Sequence, residues 1–156
     1  MARRAVSAST QPTGNIGLSG NQSAMAPSLE IVAATIDAAP LNRGLRGADW
    51  LASEGNIPVT FGNGDIALFD DEGDGDYEVH FLFVSRGKEA ICHARKALQI
   101  MFEEQSAKLI FGLTPVNLKH ARLFNRWIGG KSAGFRMTAN GLCELFVMSK
   151  SMWKGN

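Results

Sequence analysis

The chain has 156 residues, enough for one domain with a real core and too few for two comfortable ones. Hydrophobic residues make up 45% and charged residues 20%, the balance of a globular protein rather than a disordered or fibrous one. A formal net charge of +1 argues against general nucleic-acid binding, which needs a concentrated basic face. Cys92 and Cys143 lie in apolar segments, spaced neither as metal ligands nor as a disulfide framework, and read as reduced core thiols; no metal site is expected. No apolar stretch approaches the roughly 20 residues of a membrane span. Arg3 and Arg4 have no hydrophobic run behind them, so no secretory signal is expected and the cytoplasm is the expected compartment.

Residues 1–28 are mostly small and polar, with Val6, Ile16 and Leu18 as the strong aliphatics. Such a segment cannot offset its own ordering entropy, so it reads as an arm, flexible alone or fixed by lying on a partner chain. Residues 29–156 read as a single domain. Leu29, Ile31, Val32 and Ile36 suit either a strand or a short helix, which periodicity does not separate. Residues 41–54 are expected to be helical around Leu45, Trp50 and Leu51. Two runs, 57–61 and 65–69, flank Gly62-Asn63-Gly64 and predict a β-hairpin.

The acidic run from Asp70 to Asp76 reads as a solvated hairpin loop. It imitates the opening of a calcium-binding loop through Asp70, Glu72, Asp74 and Gly75, but its twelfth position is Phe81 rather than Glu. Along residues 77–84, Tyr77, Val79, Phe81 and Phe83 share one face of a strand. Arg86-Gly87-Lys88 then turns the chain into a helix with Ala90, Ile91, Ala94, Ala97, Leu98, Met101 and Phe102 at helical spacing. A strand over 108–113 is expected to break at Thr114-Pro115, and a helix follows from about Asn117 with Leu118, Ala121, Phe124, Trp127 and Ile128 on one face. Gly129-Gly130 ends it, and two strands around Asn140-Gly141 close the chain.

This order, with a basic glycine-containing turn between the central strand and its helix, resembles the GNAT family of acyl-CoA-dependent N-acyltransferases over about residues 57–153. The resemblance implies a mixed α/β fold, a GNAT-like central mixed sheet with flanking helices, preceded here by the extended arm. In the family, a turn of pattern Gln/Arg-x-x-Gly-x-Gly/Ala holds the pyrophosphate of CoA on backbone amides at a helix N-terminus. The matching residues are Arg86, Gly87, Lys88, Glu89, Ala90 and Ile91; Glu89 stands at the first Gly position and Ile91 at the last. The resemblance makes Arg86, Gly87, Lys88, Ala90 and Asn117 the candidate acetyl-CoA-binding residues. A later helix in the family carries Asn, Ala and a Tyr that protonates the departing thiolate. Asn117 and Ala121 match, but Phe124 takes the place of the Tyr, leaving Cys143, His120 or water as substitutes. A general base is sought at Glu78 and His80, which alternate with the aromatic face of the central strand, although alternation places polar groups outward in any such strand.

The C-terminal stretch is similar to a branch of this family encoded by tailed phages. Arg86-Gly87-Lys88, 117–121, Ile128-Gly129-Gly130 and Val147-Met148 with Met152-Trp153 carry that likeness. It implies a virion or head-tail assembly component in a multi-copy assembly, docking on other virion proteins through residues 1–28 and, with the acid missing, without catalysis, present in the host cytoplasm and then in the virion. The alternative is an active acetyl-CoA-dependent N-acetyltransferase acting on a primary amine.

Overall fold

The computed structural model describes residues 6–7, 28–39 and 44–153. Among these, seven strands form one mixed sheet in the order β1-β2-β3-β4-β5-β7-β6. The strands are β1 (Val6–Ser7), β2 (Ile57–Thr60), β3 (Ile66–Gly73), β4 (Asp76–Leu82), β5 (Leu109–Pro115), β6 (Lys131–Thr138) and β7 (Gly141–Ser149). The helices are α1 (Leu29–Asp37), α2 (Gly47–Ala52), α3 (Gly87–Glu103), α4 (Lys119–Trp127) and α5 (Lys150–Trp153). Val6 and Ser7 pair in parallel with Val59 and Thr60 at the sheet edge. The rest of the 1–28 arm, before Ser28, lies outside the described residues.

Residues 29–37 are helical, which resolves the choice left open by periodicity. Ser28 caps α1 by accepting the Ile31 N–H, and Glu30 lies in the first turn. Val32 and Ile36, one turn apart, are buried with Trp50, Ile66 and Leu68. The helix expected over 41–54 is shorter, beginning at Gly47; residues 40–43 lie outside the described residues. Gly47 is where α2 meets α1. A Cβ built there would stand 2.2 Å from the Ala33 carbonyl oxygen, and the Gly47 N–H donates to Asp37 Oδ1 at 2.7 Å.

The Gly62-Asn63-Gly64 hairpin forms as expected, with Thr60 opposite Ile66. The acidic run does not behave as a loop. Strand β3 continues through Asp70, Asp71 and Glu72 to Gly73, and only Asp74-Gly75 turn the chain before β4. The acidic residues are held in the strand by partners: Trp50 Nε1 donates to Asp70 Oδ1 at 2.5 Å, and the Asp71 N–H donates to Asn56 Oδ1 at 3.0 Å. Its far end, Asp71 to Asp74, stays exposed, so solvation and strand structure coexist.

Alternation divides the sheet into two faces. Ala67, Phe69, Tyr77, Val79, Ile110 and Met148 face α3, whose Ala94, Ala97, Leu98 and Met101 are fully buried against them. Ile66 and Leu68 face α1 and α2. Phe124 of α4 joins the α3 side, and Trp153 of α5 packs on Phe102 at a centroid distance of 5.7 Å. Cys143 is buried as expected, but Cys92 is exposed on α3, because its position falls on the solvent side of the helix rather than on its alanine stripe.

The expected break at Thr114-Pro115 does not occur. Both residues remain in β5, opposite Glu144 and Cys143 of β7. The Val116 N–H donates to Leu142 O at 3.0 Å. By alternation Pro115 therefore faces the β4 side, where the ladder has already ended, and its missing N–H costs no bond. Helix α4 starts at Lys119, two residues later than expected, with Asn117 in the preceding turn.

Gly47→Ala is expected to push α2 away from α1 and destabilise the chain by about 1–3 kcal/mol, the usual range for overpacking. Equilibrium urea unfolding, followed by Trp fluorescence, measures this directly.

Candidate active site

Strands β4 and β5 are parallel neighbours for only three pairs: Asp76–Leu109, Tyr77–Ile110 and Glu78–Phe111. Beyond Glu78, β4 continues to pair with β3 as far as Leu82, and β5 with β7 as far as Pro115. The sheet therefore parts along its middle, and each lip keeps its outer partner. The parting opens toward the turn that starts α3. Beside that turn an open cleft of about 470 Å³ is lined by Gly87, Lys88, Ile91 and Arg95 of α3 and by Trp127 of α4. Arg95 ties the two helices there by donating to the Trp127 carbonyl at 2.8 Å.

Arg86 is the N-cap of α3 and makes no side-chain capping bond, since a guanidinium has only donors. Gly87 has φ +58°, and a Cβ there would meet nothing within 4 Å; the position calls for glycine by conformation rather than by crowding. Lys88 and Glu89 are exposed in the first turn, whereas the Ala90 side chain is buried in the core. Of the sequence-derived CoA-binding residues, Gly87 and Lys88 line the cleft directly. Arg86 adjoins them, and Ala90, its side chain buried in the core, does not line the cleft. Asn117 lies in the turn before the other end of α4, whose first residue, Lys119, is about 12 Å of helix from Trp127 by the helical rise.

The turn before α3 is fastened from behind by Asp65, a residue that sequence reading did not single out. Its side chain is fully buried at the end of the β2–β3 hairpin. Oδ1 accepts the N–H groups of Val84 at 2.7 Å and Ser85 at 2.9 Å. Oδ2 accepts the Ser85 hydroxyl and lies 2.7 Å from His93 Nδ1. The His93 ring stacks on Phe61 at 4.2 Å. Burial pushes the Asp65 carboxyl up, but the bonds from Ser85, His93 and Asn63 outweigh it and hold it at about 2, against an ordinary 3.8.

On the opposite flank, Glu144 of β7 is 2% exposed and accepts from Arg122 Nε at 2.6 Å and from an Arg126 terminal nitrogen at 2.9 Å. Burial raises its carboxyl, and the two guanidinium groups together with a Ser132 hydrogen bond bring it below the usual carboxylate range. Asn125 adds a bond to Thr114 Oγ1 at 2.8 Å. Helix α4 buries no side chain fully, and these polar ties, together with the packing of Phe124, seat it beside β5 and β7.

Phe81 and Phe83 face this same side, with Phe124 at centroid distances of 5.6 and 6.3 Å from them. The position expected to hold an acid is thus part of an aromatic cluster. Tyr77, the chain's one tyrosine, is buried in the core, and burial with the Asp71 charge nearby pushes its hydroxyl up. Cys143 lies, by alternation, on the face of β7 opposite Glu144 and bonds to Thr138 and Gly141. His120 is exposed one turn before Phe124.

Glu78 and His80 project from the other face of β4, on the side of α2. There they meet Asp70, directly across the ladder from Glu78. His80 Nε2 is 3.2 Å from Asp70 Oδ2 and 4.0 Å from Glu78 Oε1. One donor atom from each of the three lies within 4.8 Å of the others, a spacing that a metal ion can also use. Trp50 fixes the far oxygen of Asp70, so the group is oriented from the α2 side. The arrangement can accept a proton and attract a cation.

No family model matches the sequence, and no curated protein matches it. Solved structures do match in fold. A GNAT-family acetyltransferase from Bacillus anthracis is 15% identical with a TM-score of 0.55, over 79% of this chain and 89% of that one. Aminoglycoside acetyltransferase AAC(6')-Ib, in complex with coenzyme A and kanamycin, is 20% identical with a TM-score of 0.54, over 68% of this chain and 73% of that one. A spermidine N-acetyltransferase chimera from Vibrio cholerae is 12% identical with a TM-score of 0.55, over 59% of this chain. The match spans about three fifths of that protein's length, 62%. The chain thus has a GNAT-like fold, as the order of its elements implies.

Two outcomes are expected. The Asp65 carboxyl is depressed on folding, so its contribution, about 2 kcal/mol, is fully present above the unfolded value near 3.8 and is lost as pH falls through about 2; unfolding free energy measured between pH 5 and pH 2 should fall, and Asp65→Asn should remove that part of the slope. Glu144→Gln leaves Arg122 and Arg126 without their charge partner. It should cost about 3 kcal/mol in urea unfolding, with hydrogen exchange in α4 rising before exchange in the sheet.

Proposed function

We propose that this chain is an acyl-CoA-dependent N-acyltransferase, taking acetyl-CoA as donor and a primary amine as acceptor. The observation that carries the reading is the parting of β4 from β5 beside the uncapped, basic start of α3. Helix-start amides and the charges of Arg86 and Lys88 suit a pyrophosphate. The separated lips of β4 and β5 present strand backbone to an extended chain bearing amides, the kind of ligand that adds to a strand. Trp127 and Arg95 offer a flat apolar face and a cation at the outer end of the cleft. Solved structures of similar fold contain coenzyme A.

Acetyl-CoA supplies an acyl group activated as a thioester. On the α2 side, Asp70 and Glu78 attract an ammonium group, and Glu78 or His80 removes its proton, leaving a nucleophilic amine. Glu78 is the residue at which β4 and β5 part, which puts its carboxylate near the apex of the opening. Phe124 has no proton to give, so the departing thiolate takes one from water, and turnover is slower by the order of 10²–10⁴ that a positioned acid contributes.

That same phenylalanine favours a second reading, in which the fold serves as a scaffold without catalysis. The chain would then be a phage virion or head-tail assembly component, docked on other virion proteins through residues 1–28 in a multi-copy assembly.

Calorimetric titration with acetyl-CoA separates the two. The first reading expects saturable micromolar binding, weakened at least tenfold in an Arg86→Ala, Lys88→Ala double variant, since each charge-assisted contact contributes about 1.5 kcal/mol or more. Absence of binding up to millimolar ligand would overturn it and leave the scaffold reading.

A further inference from the structure

We infer that Asp65 is a positioning residue for the anion-binding turn, setting the affinity of the chain for the pyrophosphate of an acyl-CoA without touching the ligand. The inference rests on the acyl-CoA reading above and adds to it a residue outside the turn. Asp65 belongs to the hairpin between β2 and β3, some twenty residues earlier in sequence, and its side chain is 0% exposed. A carboxylate is costly to bury unless its lone pairs are used. Here both oxygens are used, and every bond to Val84 and Ser85 falls on the two residues that precede Arg86. The bond from His93 comes from the second turn of α3. One buried anion thus joins the end of β4, the turn and the helix that follows it.

The consequence is preorganisation. Residues 84–87 include a glycine at φ +58° and an N-cap without a side-chain bond, so nothing local holds the turn in one conformation. A turn that had to be ordered by its ligand would lose affinity by the entropy of ordering. With Val84 and Ser85 held from behind, the amides of the first α3 turn and the side chains of Arg86 and Lys88 are fixed before an anion arrives. Phe61 and Phe83 hold the His93 ring by a stacked and an edge contact, which keeps Nδ1 directed at the carboxylate.

The test uses the full chain and CoA as the probe, with affinity measured by calorimetry and turn order by hydrogen exchange of the ligand-free protein. Asp65→Asn should raise the Kd for CoA at least tenfold and speed exchange at Val84 and Ser85. Gly47→Ala, destabilised where α2 meets Ala33 and Asp37 of α1 and outside the Asp65 hydrogen bonds, should leave the Kd as in wild type, which distinguishes positioning from general loss of stability. If Asp65→Asn does not fold, His93→Phe keeps the stacked ring, removes one bond to the carboxylate, and should raise the Kd by a smaller factor with the same exchange signature. A folded Asp65→Asn or His93→Phe variant with wild-type affinity overturns the inference while leaving the acyl-CoA reading intact. Failure of the wild-type chain to bind CoA sinks both.

Discussion

Strand β4 is paired on both sides at its start and on one side at its end, and the candidate site follows from that change. A parallel ladder of three pairs is short, and it survives because β3 and β7 hold the outer edges of β4 and β5. Extending the ladder would close the opening. Ending it earlier would separate the two halves of the sheet, since β4–β5 is the junction between the β1–β4 side and the β5–β7 side. Pro115 suits this arrangement, facing the opened side with no N–H to lose.

Two buried carboxylates hold the flanks of the opening. Asp65 fixes the turn entering α3, and Glu144 fixes α4 through two arginines. Both are bound by donors strongly enough to remain ionised despite burial. They serve where a hydrophobic contact would not do. An apolar patch fixes the distance between layers but little of the orientation, whereas a carboxylate with several donors fixes direction as well. Helix α3, by contrast, lies on an alanine stripe that allows close and extensive packing against the sheet.

The two faces of β4 divide the chemistry. Phe81 and Phe83 face Phe124 in an aromatic cluster, and Glu78 and His80 face Asp70 and Trp50 on the other side. Period-two alternation alone produces this separation. It puts apolar rings on one face and carboxylate and imidazole groups on the other, all within the strand and the turn after it.

The sequence by itself determined the order of elements from β2 to β7, the Gly62-Asn63-Gly64 hairpin, the long α3 helix and the alternation of β4, because each depends on neighbours within a turn or a strand. It also placed Arg86, Gly87 and Lys88 at a helix start, since glycine and basic residues after an apolar strand mark such a turn locally. It misread the acidic run and Thr114-Pro115 as interruptions, for the partners that keep them in strands, Trp50, Asn56 and β7, come from elsewhere in the chain. Asp65 carried no signal beyond an Asp in a hairpin. Its role required Val84, Ser85 and His93, up to 28 residues away, to converge on one buried carboxylate. Local periodicity fixes which residues share a face; the pairing of distant segments decides which of those faces meet, where a ladder stops and which charges are buried together, and those are properties of the tertiary structure alone.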